Sequence, residues 1–227
     1  MMQLEVKMDF DKLINFEDTI DIKQTTGLSD EYYQMTLSQF VNTISKSVDA
    51  SMTQSIHLPA NCIRYVHIGL SLKLYCVVPK KQWIINYLGN YYKVGFPKLI
   101  LEYLIVEKAN AGSKSYEIKL KRIVAVKDNG PIKKDTKVFH FPYSHVDNYG
   151  SVCMGSTQIR DMSCLSELEA AHSYFFDSPF SSDYGEKILS KEPLHVLFAE
   201  TFFEKDFNDE LLVPHNKTFD AFFDLTK

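Results

Sequence analysis

One stretch of this chain concentrates residue types that do chemistry: Phe141-Pro142-Tyr143-Ser144-His145-Val146-Asp147-Asn148-Tyr149-Gly150-Ser151-Val152-Cys153-Met154-Gly155-Ser156. Cys153 is its centre. A thiolate attacks carbonyl carbon readily and leaves again as readily, so a cysteine can carry an acyl group between two partners. Val152 and Met154 flank it and predict a backbone held against a core. Gly150 and Gly155 carry no Cβ and let a partner approach closely. A cysteine in a loop after a sheet stays partly open, as a nucleophile must. The other three cysteines read differently. Cys62 and Cys76 sit within apolar strands and are expected in the core. Cys164 begins a helix, where a thiol pKa is lowered.

The elements that must position this stretch follow from periodicity. Residues 3–24 carry short alternating runs, clearest at Thr19-Ile20-Asp21-Ile22-Lys23, and predict one or two strands. Asp30 to Val48 predicts a helix. Thr36 and Gln39 fit a capping box, and Leu37, Phe40, Val41, Ile44 and Val48 form an apolar face that predicts core packing. Leu58-Pro59 marks a break. Ile63–Ile68 and Leu70–Val78 predict strands around a turn at Gly69, and Pro79 ends the second. Trp83–Tyr92 is aromatic and fits helix or strand. Gly95-Phe96-Pro97 predicts a turn. Leu99–Val106 and Tyr116–Lys127 predict a long hairpin through Asn110-Ala111-Gly112-Ser113, closed by Asp128-Asn129-Gly130-Pro131. After the loop-like segment Val138–Ser156, Cys164–Phe176 predicts a helix with Ser163 or Ser166 as cap. Its face is Leu165, Leu168, Ala171, His172 and Phe175, and Ser178-Pro179 ends it. Glu192–Glu204 predicts another helix after Pro193, and Thr218–Lys227 is a short aromatic tail. Strands followed by helices give an α+β class, an antiparallel β-meander flanked by helices with an N-terminal α/β extension.

Composition sets the outer bounds. The 227 residues are 45% hydrophobic, 24% charged and 13% aromatic, which is globular and suits a strand-rich core. The formal net charge of -4 argues against a dedicated nucleic-acid binder. Charge is uneven: Lys98 to Lys137 holds ten Lys or Arg against five Asp or Glu, and Asp161 to Lys227 holds five against fourteen. Solvated faces are one reading, two docking surfaces of opposite sign the other. No apolar run approaches the roughly 18 residues of a membrane span. The start, MMQLEVKMDFDKL, lacks the apolar core of a secretory signal. With no metal-type cysteine spacing, we expect a reducing cytoplasm, no metal and no cofactor.

The Cys153 segment resembles the active-site region of E2 ubiquitin-conjugating enzymes. Their pattern is His-Pro-Asn-Ile/Val, three residues, Gly, one residue, Ile/Val, Cys, Leu. Here His145-Val146, Asp147-Asn148-Tyr149, Gly150, Ser151, Val152, Cys153 and Met154 fall in register. The resemblance is closer to a bacterial E2-like family, known as protein B of the PRTRC system or prokaryotic E2 family D. Leu58-Pro59, Pro97-Lys98-Leu99 and the aromatic run Ser173-Tyr174-Phe175-Phe176-Asp177-Ser178-Pro179-Phe180 also resemble that family, so the likeness spans residues 20 to 205. Two departures stand out. The triplet His-Pro-Asn is Tyr143-Ser144-His145, and the aromatic run continues as Ser181-Ser182-Asp183 where the family often has Asn and His.

The resemblance implies a UBC-like fold over residues 58–227 with C-terminal helices, and residues 1–57 as a strand and helix extension packed on that core. It implies that an E1-like (ThiF-type) adenylating enzyme passes the C-terminal glycine of a ubiquitin-like modifier to Cys153. The thioester is then attacked by an amine or another nucleophile. A JAB-type deconjugating protease would be a further partner in such a system. His145 occupies the asparagine position, where an imidazole N–H can donate to the oxyanion or a ring nitrogen can act as base. Asp147 and Asp177 could orient or deprotonate the acceptor, and Asn148, Gly150 and Ser156 position the loop. A catalytically inactive E2-like adaptor is the main alternative. A cysteine hydrolase built on Cys153 and His145 is a weaker one, for want of a third orienting residue.

Overall fold

The computed structural model describes residues 2–7, 15, 17–26, 29–49, 57–69, 71–110 and 113–225. The chain divides into two compact units, Met1–Ser55 and Ile56–Lys227.

In the first unit β1 (Met2–Lys7), β2 (Thr19–Thr26) and β3 (Ser29–Thr36) form an antiparallel sheet in that order, followed by the helix α1 (Leu37–Asp49). The helix expected from Asp30 therefore starts seven residues later, because 29–36 pairs along the whole length of β2. The expected capping box is present. The Gln39 N–H donates to Thr36 Oγ1 and the Thr36 N–H to Gln39 Oε1, both at 3.1 Å. The helical face departs from expectation: Val41 and Ile44 are exposed rather than packed.

The second unit is strand-rich. Its main sheet has six antiparallel strands: β4 (Cys62–Ile68), β5 (Ser71–Val78), β8 (Lys98–Asn110), β9 (Ser113–Val126), β10 (Lys137–Phe139) and β11 (Pro214–Thr218). Their spatial order is β11-β10-β9-β8-β5-β4. The ambiguous aromatic stretch is a separate hairpin, β6 (Lys81–Tyr87) and β7 (Asn90–Phe96), inserted between β5 and β8. The turn expected at Gly95-Phe96-Pro97 is instead the end of β7. Gly95 is required there because the Lys205–Phe207 backbone crosses it: a Cβ would lie 2.3 Å from the Lys205 carbonyl oxygen.

Helices are shorter than their sequence pattern predicts. Cys164–Phe176 is a 3₁₀ segment, Leu165–Ala170, followed by the single turn α2 (Ser173–Phe176). Glu167 draws the start tight, accepting from the N–H groups of Ser163 and Cys164 and from the Ser163 hydroxyl. Leu165, Leu168 and Ala171 are all buried at a spacing of three, the repeat of a 3₁₀ turn rather than of an α-helix. The segment after Pro193 is also brief: α3 (Leu194–Val196) widens into π-type turns over Leu197–Thr201. The tail folds as α4 (Phe219–Phe222).

The sheet has a core on each face. Leu74, Cys76, Leu101, Tyr103, Leu120 and Ile123 face a large aromatic core that includes Phe96, Phe141, Tyr143, Phe175, Phe176 and Phe180. Tyr75, Ile100, Val124 and Val126 face a smaller one closed by Phe219, Phe222 and Phe223. Within β9 the alternation slips once. Ile118 and Leu120 share a face with Ile123 and Ala125, a step of three, because Lys121 bulges between the pairs Tyr103–Leu120 and Glu102–Arg122.

Charges of the basic strands and the acidic C-terminal half meet within the chain. Lys108 pairs with Asp161, Lys127 with Glu210 and Lys80 with Asp209. The most buried ion cluster lies on the second face. Glu102, 1% exposed, takes hydrogen bonds from the Arg122 guanidinium, from Lys73 Nζ at 2.9 Å and from the Tyr75 hydroxyl at 3.3 Å. Arg122 also donates to the carbonyls of Phe222 at 2.9 Å and Phe223 at 3.4 Å, seating α4 on the sheet. Burial alone would raise the Glu102 pKa, but the bonds from Arg122 and Lys73 outweigh it and lower the value.

Two outcomes follow. Arg122→Leu leaves the buried Glu102 carboxylate with only Lys73 and Tyr75 and frees the Phe222 and Phe223 carbonyls, and should cost about 3–5 kcal/mol in a denaturant titration. In the wild type, the contribution of Glu102 is fully present above the ordinary value of 4.5 and is lost as pH falls through the lower folded value. Stability measured from pH 6 downward should therefore decline on the acid side, and Glu102→Gln should flatten that part of the curve.

Candidate functional site

The segment around Cys153 is an added edge to β9. Among the described residues, β9 has no strand partner beside Arg122 and Ile123 on the side away from β8, since β10 pairs only at Ala125. The loop fills this gap. The Ile123 N–H donates to Gly150 O at 2.8 Å, the Val152 N–H donates to Lys121 O at 3.1 Å, and Arg122 bridges Ser151. The carbonyl that receives Val152 belongs to the bulged residue, so the irregularity in β9 builds the seat of the cysteine loop.

The loop is closed on itself by Asp147. Its Oδ1 accepts from the N–H groups of Tyr149 and Ser151, both at 2.8 Å, and its backbone pairs with Ser151 and Gly150. This is an Asx-type turn, the usual work of an aspartate at such a position. Gly150 has φ +80°, and a Cβ there would meet Phe222 Cζ at 2.7 Å and Ile123 O at 3.1 Å. Only glycine fits both the conformation and the gap. Asn148 is exposed, and its carbonyl accepts from His215 Nε2 at 3.1 Å. Tyr149 beside it is 78% exposed.

Cys153 is half-buried and is a free thiol. Among the described residues its sulfur makes no hydrogen bond. Its backbone is pinned to His145: the Cys153 N–H donates to His145 O at 2.9 Å, and His145 Nδ1 lies 3.0 Å from Cys153 O. The Ser181 N–H points at His145 Nε2 at 3.0 Å. A backbone N–H can only donate, so Nε2 carries the lone pair. Nδ1 therefore holds the proton and donates to Cys153 O. Both ring nitrogens are engaged, the residue is 5% exposed, and Phe180 packs edge-on against the ring at 4.8 Å. His145 also adopts φ +73°, an uncommon conformation for a side-chain-bearing residue. The imidazole thus reaches the carbonyl of Cys153 and holds the chain there, with no N–H left over in this arrangement.

Lys187, which the sequence reading did not single out, and the Ser181–Asp183 run, named there only as a departure from the family pattern, complete the support. Lys187 Nζ donates to Val146 O at 2.7 Å and Tyr184 O at 3.0 Å, and the Lys187 N–H donates to Pro142 O. Burial lowers the pKa of its ammonium, with Asp147 opposing. The His145 N–H reaches Asp183 O at 3.3 Å. Residues 181–187 thus form a second wall behind the loop. The tetrad at its start, Ser181-Ser182-Asp183-Tyr184, gives no signal of this in sequence, because the contacts use backbone and a lysine stem. The other two expected residues lie further along: Ser156 is exposed in a turn, and Asp177, also exposed, lines a groove of about 380 Å³ with Thr157, Arg160 and Tyr174. Cys164 is half-buried, its pKa lowered chiefly by the Ser166 hydroxyl. Among the described residues no group of three or more His, Cys, Asp or Glu could hold a metal ion, and no helix is long and apolar enough to cross a membrane.

A family comparison meets this geometry at the same residues. A model of E2-like proteins from prokaryotes matches residues 109–221, and the chain is a bacterial E2-like protein. The family is prokaryotic E2 family D, and the match runs from the end of β8 through β9, the Cys153 loop and the short helices into α4. It begins later and ends later than the span read from sequence. No curated protein and no solved structure matches the chain.

Gly150→Ala should lower stability by about 1–3 kcal/mol, from the left-handed backbone and the collision with Phe222. It should also speed alkylation of Cys153 by a small thiol reagent, because the loop leaves its seat on β9. Thermal melting and timed mass spectrometry read the two effects separately.

Proposed function

We propose that this protein carries a ubiquitin-like modifier as a thioester on Cys153 and transfers it to an amine or another nucleophile. In this reading residues 58–227 form a UBC-like domain and residues 1–57 an extension to it. The observation that supports it most is the state of Cys153: a half-buried thiol with an uncommitted sulfur, in a loop whose backbone is fixed both by its own Asp147 and His145 and by β9 and Lys187, inside the segment matched to an E2-like family.

The chemistry proceeds in two exchanges. The Cys153 sulfur attacks the adenylated C-terminal glycine delivered by an E1-like enzyme, the C–S bond forms, and AMP leaves. The acceptor amine then attacks the thioester carbonyl, loses its proton to solvent or a nearby base, and the thiolate departs. Catalysis in such a step comes from holding the thioester still for the incoming amine. The network does this. Asp147 fixes the turn, Lys187 fixes Val146, and His145 fixes both the N–H and the C=O of Cys153. His145 is proposed as a positioning residue, and oxyanion donors would come from the modifier, the acceptor or a partner.

That last point favours a second reading, an E2-like adaptor without catalysis, since the position that could donate to an oxyanion is occupied by a ring bonded at both nitrogens. One reconstitution separates the two. With an E1-like enzyme, a small modifier ending in glycine and ATP, the carrier forms an adduct that reducing agent removes. Cys153→Ser should give a reductant-resistant ester and Cys153→Ala none. An adaptor gives no adduct in any of these, and binds its partners as well in Cys153→Ala as in the wild type.

A further inference from the structure

Away from the Cys153 loop, two other thiols stand opposite each other on neighbouring strands. Cys62 opens β4, the last strand of the six-stranded sheet among the described residues, and its register partner on β5 is Cys76. The hydrogen bonds around them define the kind of pair they form. Asn61 and Val77, one step along, exchange bonds: the Val77 N–H donates to Asn61 O at 2.9 Å, and Asn61 Nδ2 to Val77 O at 3.2 Å. The Cys62 N–H turns away to Pro59 O at 3.0 Å. Cys62 and Cys76 are therefore a non-hydrogen-bonded pair. In an antiparallel ladder such partners have Cα atoms about 4.5 Å apart, at the short end of the roughly 4.4–6.8 Å window a disulfide spans.

The two thiols differ in access, as a reactive and a resolving cysteine should. Cys62 is half-buried at the edge, and Cys76 is buried beneath it. The Cys62 thiol donates to Arg64 O at 3.2 Å, a bond that its thiolate gives up. The Cys76 thiol across the ladder, with help from the Arg64 and Tyr75 N–H groups against the cost of burial, lowers the Cys62 pKa to about 7. The same neighbour and burial push the Cys76 thiol up. The bulge at Ile63 frees β4 from strict register on one side of Cys62, which gives the strand room to adjust.

We propose that Cys62 and Cys76 form a reversible cross-strand disulfide when the protein meets hydrogen peroxide, a modification site independent of Cys153. The Cys62 thiolate attacks one peroxide oxygen, the O–O bond breaks, and water leaves after protonation, so Cys62 becomes a sulfenic acid. The Cys76 thiol attacks that sulfur, the S–OH bond breaks, and a second water leaves. Two thiols have lost two electrons and one peroxide has gained them. A short cross-strand disulfide at a sheet edge belongs to the easily reduced class, so common thiol reductants restore it.

The test uses the full chain, fully reduced, given one equivalent of hydrogen peroxide, then alkylated and digested for mass spectrometry. The expected product is a Cys62–Cys76 linked peptide lighter than its two parents by two hydrogens, with both alkylation signals lost together and both restored by dithiothreitol. Cys76→Ser should leave Cys62 as a sulfenic acid that dimedone traps. Cys62→Ser should leave Cys76 reduced. Cys153→Ala should not change the yield of the linked peptide. Full alkylation of Cys62 and Cys76 after peroxide, or a link from either of them to Cys153 or Cys164, overturns the proposal.

Discussion

Arg122 holds together three parts of the second unit that sequence places far apart. Its guanidinium neutralises Glu102, which burial would otherwise force to give up its charge, and it receives the carbonyls at the end of α4. Phe222 and Phe223 lie within cation–π range of the same group, at 5.3 and 5.0 Å. The backbone of Arg122 meanwhile bridges Ser151, two residues before Cys153. One residue thus joins the sheet's buried charge, the C-terminal helix and the cysteine loop. Phe222 in turn fills the space that Gly150 leaves vacant.

The loop obtains rigidity without regular secondary structure. Its backbone groups are answered from three directions: by β9 on one side, by Asp147 within, and by residues 181–187 behind. Buried backbone must find partners somewhere, and here the partners are side chains and foreign carbonyls rather than a ladder. The cost shows in the left-handed backbone of His145, which the bonds to Cys153, Ser181 and Asp183 over-determine.

What was legible in the sequence depended on how locally it was encoded. The β4–β5 and β8–β9 pairs could be read from alternation, and the Thr36–Gln39 cap from the residues alone, because both are short-range. The helix expected from Asp30 failed because pairing with β2 decided residues 30–36, and that partner is distant in the pattern. The helix expected over 164–176 failed for a visible reason: Leu165, Leu168 and Ala171 repeat every three residues, and a strict reading of that period gives a 3₁₀ turn. The step from Leu120 to Ile123 was a similar clue to the bulge. At the site, Cys153, Asp147 and Gly150 stood out by type and spacing. Lys187 did not, and Ser181 stood out only as a departure from the family pattern, because they act through a flexible stem and a main-chain N–H, which leave no pattern of their own. For His145 the residue was evident but its function was not, since only the positions of two further groups fix the tautomer.

The slip in β9 has an effect beyond its own strand. A ladder that alternated perfectly from Ser113 to Val126 would turn Arg122 toward the aromatic core and Ile123 toward the ions, exchanging the two environments. Removing Lys121 would restore strict alternation with Arg122 and Ile123 still on their own faces, and would take away the carbonyl on which Val152 rests. The phase error is what lets one strand serve oily contacts at its start, a charged clasp at its middle and oily contacts again at its end, and it leaves one spare oxygen at the place where the thiol-bearing loop comes to rest.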